Sequence, residues 1–246
     1  MEVVALIPAR YGSTRFPGKP LALLRGKPMI QHVYQQTCQV PGVDRVMVAT
    51  DDERIAAAVR AVGGQVAMTR ADHPTGTDRL AEVAAGLTAD LIVNVQGDLP
   101  FFPPAMVGDA VSALEHSPTA AMATVRTPIH SREEWHDPNV VKVVTDRDGF
   151  AVYFSRSPIP FYRQPPSPDQ VPDQIWGYRH IGLYVYRRDF LLTFSRLAPT
   201  PLEEAEKLEQ LRAVEWGYKI RMTETERPTV EVDTPLDLRR AEEMLP

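Results

Sequence analysis

The chain predicts an α/β fold with a mostly parallel sheet and an antiparallel insertion in its second half. Three observations predict it. Short, predominantly apolar runs, "VVALI" (3–7), "RVMVAT" (45–50) and "LIVNVQ" (91–96), read as strands covered on both faces. Amphipathic stretches of ten or more residues lie between them, long enough for crossover helices. After about residue 137 the pattern changes, and "VVKVVTDRDGFAVYFSR" (140–156) reads as two strands around Asp148-Gly149, a hairpin signal.

The elements follow in order. "PMIQHVYQQTCQV" is a helix whose Pro28 suits the first turn. "DDERIAAAVRAVGG" is a second, opening on acids and closing on glycine. "QVAM" is a short strand, "GTDRLAEVAAGL" a helix, and "PAMVGDAVSALEH" with "AAMATVR" a further helix and strand. "SPIPFYRQPPSPDQVPDQ", Ser157 to Gln174, is too rich in proline for regular structure and reads as a lid or a surface excursion. "YRHIGLYVYR" alternates like a strand, and "PLEEAEKLEQLRAVEWG" has the period of one helix. "VEVDTPLDLRRAEEML" gives a strand, a turn and a capped last helix. The expectation is one domain over 1–246, with the antiparallel insertion at about 138–190.

Composition narrows the function. Hydrophobic residues at 43% and charged residues at 24% fit a soluble globular chain with a full core. A net charge of −5 argues against a nucleic-acid coat. The charge is uneven, however: between Glu2 and Asp44 there is no acid, yet Arg10, Arg15, Lys19, Arg25 and Lys27 fall there. A local cationic site in an acidic chain suggests a small anionic ligand. Cys38 is the only cysteine, so no disulfide framework or cysteine zinc site is expected, and its place in an amphipathic helix suggests packing. No apolar run is long enough for a signal peptide or a membrane span, which predicts a soluble, cytoplasmic protein without a membrane partner.

Ligands of open α/β sheets bind beyond the carboxyl ends of the strands, and three candidate sites fall there. The first is "IPARYGSTRFPGKP" (7–20), which packs three cations, two glycines and three prolines into fourteen residues. Its glycines permit close backbone approach and its cations can clamp phosphate oxygens. Neither a Walker loop nor a dinucleotide fingerprint is present. In "LIVNVQGDLP", Asp98 ends a buried strand, where it can hold Mg²⁺ or simply cap the turn before Pro100. In "VEVDTPLDL", Asp233 can do the same, or Asp233 or Thr234 can cap the helix that Pro235 begins. A cationic loop with two strand-end aspartates forms a parts list for phosphoryl or nucleotidyl transfer. His32 and His116 sit in helices and read as surface residues.

At "IPARYGSTRFPGKPL", "VATDD", "RADHPTGTDRLAEV" and "NVQGDLP" the sequence resembles the 3-deoxy-D-manno-octulosonate (Kdo) cytidylyltransferases. The resemblance continues through "NVVKVVTDRDGFAVYFSRSPIP", "RHIGLYVYR", "PLEEAEKLEQLR" and "EVDTPLDL", in order along essentially the whole chain. It implies a Rossmann-like fold of the nucleotide-diphospho-sugar transferase type. It also implies the conversion of CTP and Kdo to CMP-Kdo and pyrophosphate, with Mg²⁺, for lipopolysaccharide biosynthesis. By the matching motifs, Lys19, Arg10 and Arg15 would be catalytic, neutralising the triphosphate. Pro8, Ala9 and Gln96 would join them in holding the nucleotide, and Asp98 and Asp233 would hold the metal. His180, Tyr184, Glu209 and Gln210 match segments of the sugar pocket; without the resemblance, Glu209 and Gln210 read equally as an exposed helix face. One position departs: where the family typically has "QGDEP", this chain has Leu99 in place of the glutamate. Tyr162 to Gln174 matches poorly, and no role is transferred there.

Two alternatives accompany this reading. One is the same chemistry on another acidic sugar, a sialic acid or an amino-substituted Kdo. The other is a silent nucleotide-binding relative, against which the pair Asp98 and Asp233 speaks. A homodimer through Val140 to Arg156 is also expected, because "VVKVV" and "FAVYF" carry more apolar surface than a lone hairpin can leave in water.

Overall fold

Strand β1 (Val3–Ala9) leads through a short 3₁₀ turn (Lys19–Leu21) into the two-residue strands β2 (Leu23–Leu24) and β3 (Lys27–Pro28), then α1 (Met29–Thr37). The alternation continues with β4 (Arg45–Thr50), α2 (Glu53–Arg60), β5 (Gln65–Met68), α3 (Gly76–Ala85), β6 (Leu91–Asn94) and α4 (Pro104–Glu115). Next come β7 (Ala120–Ile129), α5 (Arg132–His136), β8 (Lys142–Thr145), β9 (Ala151–Ser155), β10 (Gly177–Arg187) and α6 (Arg188–Phe194). The chain closes with α7 (Pro201–Glu206), α8 (Gln210–Glu215), β11 (Lys219–Glu224) and α9 (Pro235–Met244). This computed structural model describes residues 1–12, 16–164, 174–227, 229–232 and 234–244.

The chain groups into two compact units. The first comprises Met1–Val111, Leu183–Ser195 and Arg227–Pro246, the second Ser112–Gly182 and Arg196–Glu226. In the first unit β1 pairs in parallel with both β4 and β6, and β4 with β5. The last residues of β10, Tyr184 to Arg187, run antiparallel to β6. Val3 to Ile7 and Leu91 to Val93 are buried, as their unbroken apolar runs require. Helices α1 and α2 pack on each other and on β4, while α3 packs on α6, β1 and β6. Asp52 caps α2 by accepting from the Arg54 N–H at 2.9 Å, and Thr75 caps α3 by accepting from that of Asp78 at 3.1 Å.

In the second unit β7 pairs in parallel with β11, while β8 pairs antiparallel with both β10 and β9. The β8–β9 hairpin turns where Asp148-Gly149 indicated, with Gly149 at φ +78°, a value that favours glycine. Its apolar residues are covered in part. Val143 and Phe154 are buried, Val140 packs against the Trp135–Trp176 cluster, and only Val152 is exposed among them. Val140, Val141, Val144 and Phe150 are half-buried, so the hairpin covers part of its apolar surface within its own unit.

Several boundaries differ from expectation. The helix expected over 201–217 is two helices broken at Lys207, which takes φ +54° without being glycine. The strand expected near Val230 is a single bridge to Phe101. Helices α5 and α6 and strand β11 were not anticipated. Cys38 is exposed just beyond α1 rather than packed, and partial desolvation of its thiol still raises the pKa. His116 is exposed, and His32 is half-buried with its Nε2 2.8 Å from the Leu24 carbonyl.

Candidate active site

In the first unit the carboxyl ends of β1 and β6 meet the start of α3 around Pro8. The Val95 N–H donates to the Leu6 carbonyl at 3.1 Å and carries the β6 chain past the end of its strand. At Gly97 a Cβ would lie 2.8 Å from the Pro8 carbonyl oxygen, and at Gly76 one would lie 3.4 Å from the Pro8 ring. Glycine at 97 is therefore a packing requirement. Beside this junction opens a cleft of about 240 Å³. Six residues expected from the sequence line it: Pro8, Ala9, Arg10, Lys19, Gln96 and Asp98. Four more come from the turn into α3, His73, Thr75, Gly76 and Arg79, and sequence reading gave none of them a role.

The cleft is polar and its charges are placed by partners. Lys19 donates to Asp98 Oδ2 at 2.9 Å, with 13% and 33% of the two side chains exposed. Arg10 is exposed at the rim. Arg79 is buried and held by Asp51 Oδ1 at 2.8 Å and by the Thr69 hydroxyl. His73, half-buried with 5% of its side chain exposed, is hydrogen-bonded to Glu82, and this bond above all lowers the Glu82 pKa. Gln96 leans on Asn94 Oδ1 at 3.4 Å. Cationic side chains and the N-terminus of the ten-residue α3 thus face one space, an arrangement that favours a phosphate-bearing ligand.

Asp98 brings a hard oxygen donor to this cleft, and its backbone carbonyl accepts from the Val232 N–H at 2.9 Å. Arg15 and Asp233, expected to bind phosphate and metal, lie outside the described residues. Among the described residues no three His, Cys, Asp or Glu side chains cluster as a ready metal cage. Mg²⁺ does not require one, since it takes one or two carboxylates and completes its shell with water and substrate phosphates, and the donor chemistry of Asp98 fits that pattern. Leu99 is buried, so at the position of the family's usual glutamate this chain packs hydrocarbon.

Of the residues expected in a sugar pocket, Tyr184 belongs to the first unit and is half-buried, opposite Asn94 in the β10–β6 register. His180, Glu209 and Gln210 belong to the second. His180 is buried, its Nε2 lies 2.9 Å from Thr124 Oγ1, and its ring meets Phe154 edge-on at 4.9 Å. Burial, aided by the charge of Arg179, lowers its pKa to about 3, so the ring is neutral. Gln210 is buried and Glu209 lies 3.9 Å from Arg212, itself bonded to Glu203. The exposed-face alternative therefore fails for Gln210. Helix α8, which Gln210 begins, packs against β9, the strand that carries Phe154.

A family model described as Cytidylyltransferase matches residues 4–220. A 3-deoxy-manno-octulosonate cytidylyltransferase of Syntrophotalea carbinolica is 59% identical to the chain, covering 98% of each, and one of Geobacter metallireducens is 57% identical over 100% and 98%. A solved structure of a CMP:2-keto-3-deoxy-manno-octonic acid synthetase complexed with CTP superposes with a TM-score of 0.92 at 44% identity, covering 99% and 98%. A 4-diphosphocytidyl-2C-methyl-D-erythritol synthase from Anaerococcus prevotii, at 12% identity and a TM-score of 0.64 over 98% and 97%, shares the fold.

Proposed function

Because the chain belongs to the cytidylyltransferase family, and within it to the 3-deoxy-manno-octulosonate cytidylyltransferases, we propose that it converts CTP and Kdo to CMP-Kdo and pyrophosphate. This activates the sugar acid for lipopolysaccharide assembly. The observation that carries the reading is the convergence of Pro8, Ala9, Arg10, Lys19, Gln96 and Asp98 on one cleft at the strand ends. Arg10 and Lys19, with Arg15, bind the triphosphate and Gln96 lies by the nucleoside. The anomeric hydroxyl of Kdo forms the new bond to the α-phosphorus and loses its proton to solvent water, while the bond from the α-phosphorus to the oxygen bridging to the β-phosphate breaks and pyrophosphate leaves. The cations spread the charge that develops on the phosphoryl oxygens and on departing pyrophosphate. Asp98 and Asp233 would hold Mg²⁺, which supplies the charge neutralisation that three side chains cannot give a triphosphate. Tying Val232 to the Asp98 carbonyl supports this pairing.

His180, Glu209 and Gln210 of the second unit are assigned to the sugar. His180 acts there as a neutral, fixed ring whose partner Thr124 orients it. A second reading, another acidic sugar, is favoured by Leu99 alone. Pyrophosphate release measured across CTP, UTP, ATP and TTP with several acidic sugars tests both: turnover should be highest with CTP and Kdo, and a clear preference for another pair would overturn the assignment. The use of CTP makes the cytoplasm the proposed compartment, and no described helix is long and apolar enough to cross a membrane. A homodimer is also proposed. Its support is now Val152 and Phe161, exposed at 54% and 85% in the second unit. Light scattering that gives the monomer mass at micromolar protein would end it.

A further inference from the structure

Tyr11 is the residue between cleft-lining Arg10 and the rest of the phosphate loop, and it is held on three sides within the first unit. Its carbonyl accepts from the Gly18 N–H at 3.0 Å. Its ring lies so close to Gly18 that a Cβ there would sit 3.2 Å from three of its atoms. Over the ring stands the Arg54 guanidinium, 3.5 Å from the centroid. Arg54 is itself gripped by Asp52 through Nε at 3.0 Å and Nη2 at 2.6 Å. Asp52 is the α2 cap, and its own N–H donates to Thr50 Oγ1 at 3.2 Å. Thr50 ends β4 directly opposite Ala9 of β1.

These contacts have one geometric consequence. Arg10 precedes Tyr11 and Lys19 follows Gly18, so the Tyr11–Gly18 contact ties together the two residues adjacent to the cleft cations. We propose that Tyr11, clamped by Arg54 and Asp52, is a positioning residue that fixes the separation of Arg10 and Lys19 at the phosphate site. The inference rests on the phosphate-binding reading of this cleft. Rate and affinity for phosphates depend on where the cations sit, and small displacements are costly. Gly18, at φ +73°, provides both the turn and the room for the ring. Arg54, with 59% of its side chain exposed, works from outside the cleft.

The test measures CTP binding by calorimetry, steady-state constants and melting temperature for Tyr11→Leu, Arg54→Met, the conservative Tyr11→Phe and Arg54→Lys, and Lys19→Ala as reference. Tyr11→Leu should raise Kd and KM for CTP by about tenfold or more. Arg54→Met should raise them by about two- to fivefold, the range of an exposed cation–π contact. KM for Kdo should stay put. Tyr11→Phe and Arg54→Lys should recover most of the CTP affinity, because ring and cation remain. A structural role alone would lower the melting temperature and leave the CTP constants unchanged. CTP constants of both Tyr11→Leu and Arg54→Met within twofold of the parent, beside a weakened Lys19→Ala, overturn the inference and spare the phosphate site. Unchanged CTP binding in Lys19→Ala overturns the phosphate site, and the inference with it.

Discussion

Asp98→Asn separates two jobs that the structure places on one carboxylate. The first is to hold the Lys19 ammonium at 2.9 Å. The second, proposed above, is to hold Mg²⁺. Asparagine has the same shape and still accepts a hydrogen bond from Lys19, so only the charge is lost. With 13% and 33% of the two side chains exposed, the pair is partly solvated, and such a pair contributes no more than about 1 kcal/mol. If placing Lys19 is all that Asp98 does, turnover should fall by no more than about fivefold. If it is a metal ligand, the loss is a transition-state electrostatic contribution of about 3 kcal/mol, which means a hundredfold or more. The assay is pyrophosphate release at saturating CTP and Kdo over a Mg²⁺ titration, with melting temperature as a control for folding. We expect a deep loss in kcat and a requirement for more Mg²⁺. Turnover within fivefold of the parent at every Mg²⁺ concentration would refute the metal assignment.

Asp233→Asn should behave like Asp98→Asn in the same titration, whereas helix capping alone would leave it near the parent. Glu209→Ala and His180→Ala should raise KM for the sugar far more than KM for CTP; an equal rise for CTP with the sugar constant unmoved would show the pocket misplaced. His180 also sets a pH response: its folded pKa of about 3 lies below the unfolded value near 6.5, so the stability of the neutral ring is complete above that value and is lost as pH falls through the window between them. The melting temperature should fall more steeply between about pH 6.5 and 4 in the parent than in His180→Gln, and parallel curves would contradict this. Lys142→Met should lower the melting temperature by roughly 6–12 °C, because about 3 kcal/mol is lost when the carbonyls bonded by its amine lose their donor; a shift under a few degrees would mean that water replaces the amine.

How far the sequence reached depends on whether the signal was local. The alternation from β1 to α4 was legible because each strand is buried on both faces and each helix has its own period and cap, as at Asp52 and Thr75. The cation loop and Asp98 were legible because strand ends can be located from apolar runs. His73, Thr75 and Arg79 were not given roles, since their place in the cleft depends on α3 starting beside Pro8, a juxtaposition that no single stretch encodes. Strand β11, "KIRMTE", hid behind its charges, and only its parallel pairing with β7 makes it a strand. The break at Lys207 carried no glycine to announce it. Burial of Gln210 follows from packing in the second unit, where the residues alone read equally as an exposed helix face.

Lys142 carries a consequence of a different kind. Its side chain is fully buried, and its amine donates to the carbonyls of Asp137 at 2.8 Å, Val140 at 2.6 Å and Arg156 at 2.6 Å. Burial lowers its pKa, and the three carbonyls that surround its nitrogen seal it from reagents. An acylating label cannot reach it until those three bonds break. The slow modification of this one lysine, followed by mass spectrometry, would then act as a clock for opening of the second unit alone. Run with and without CTP, the same clock would report whether occupying a cleft built by the first unit changes how often the second one breathes.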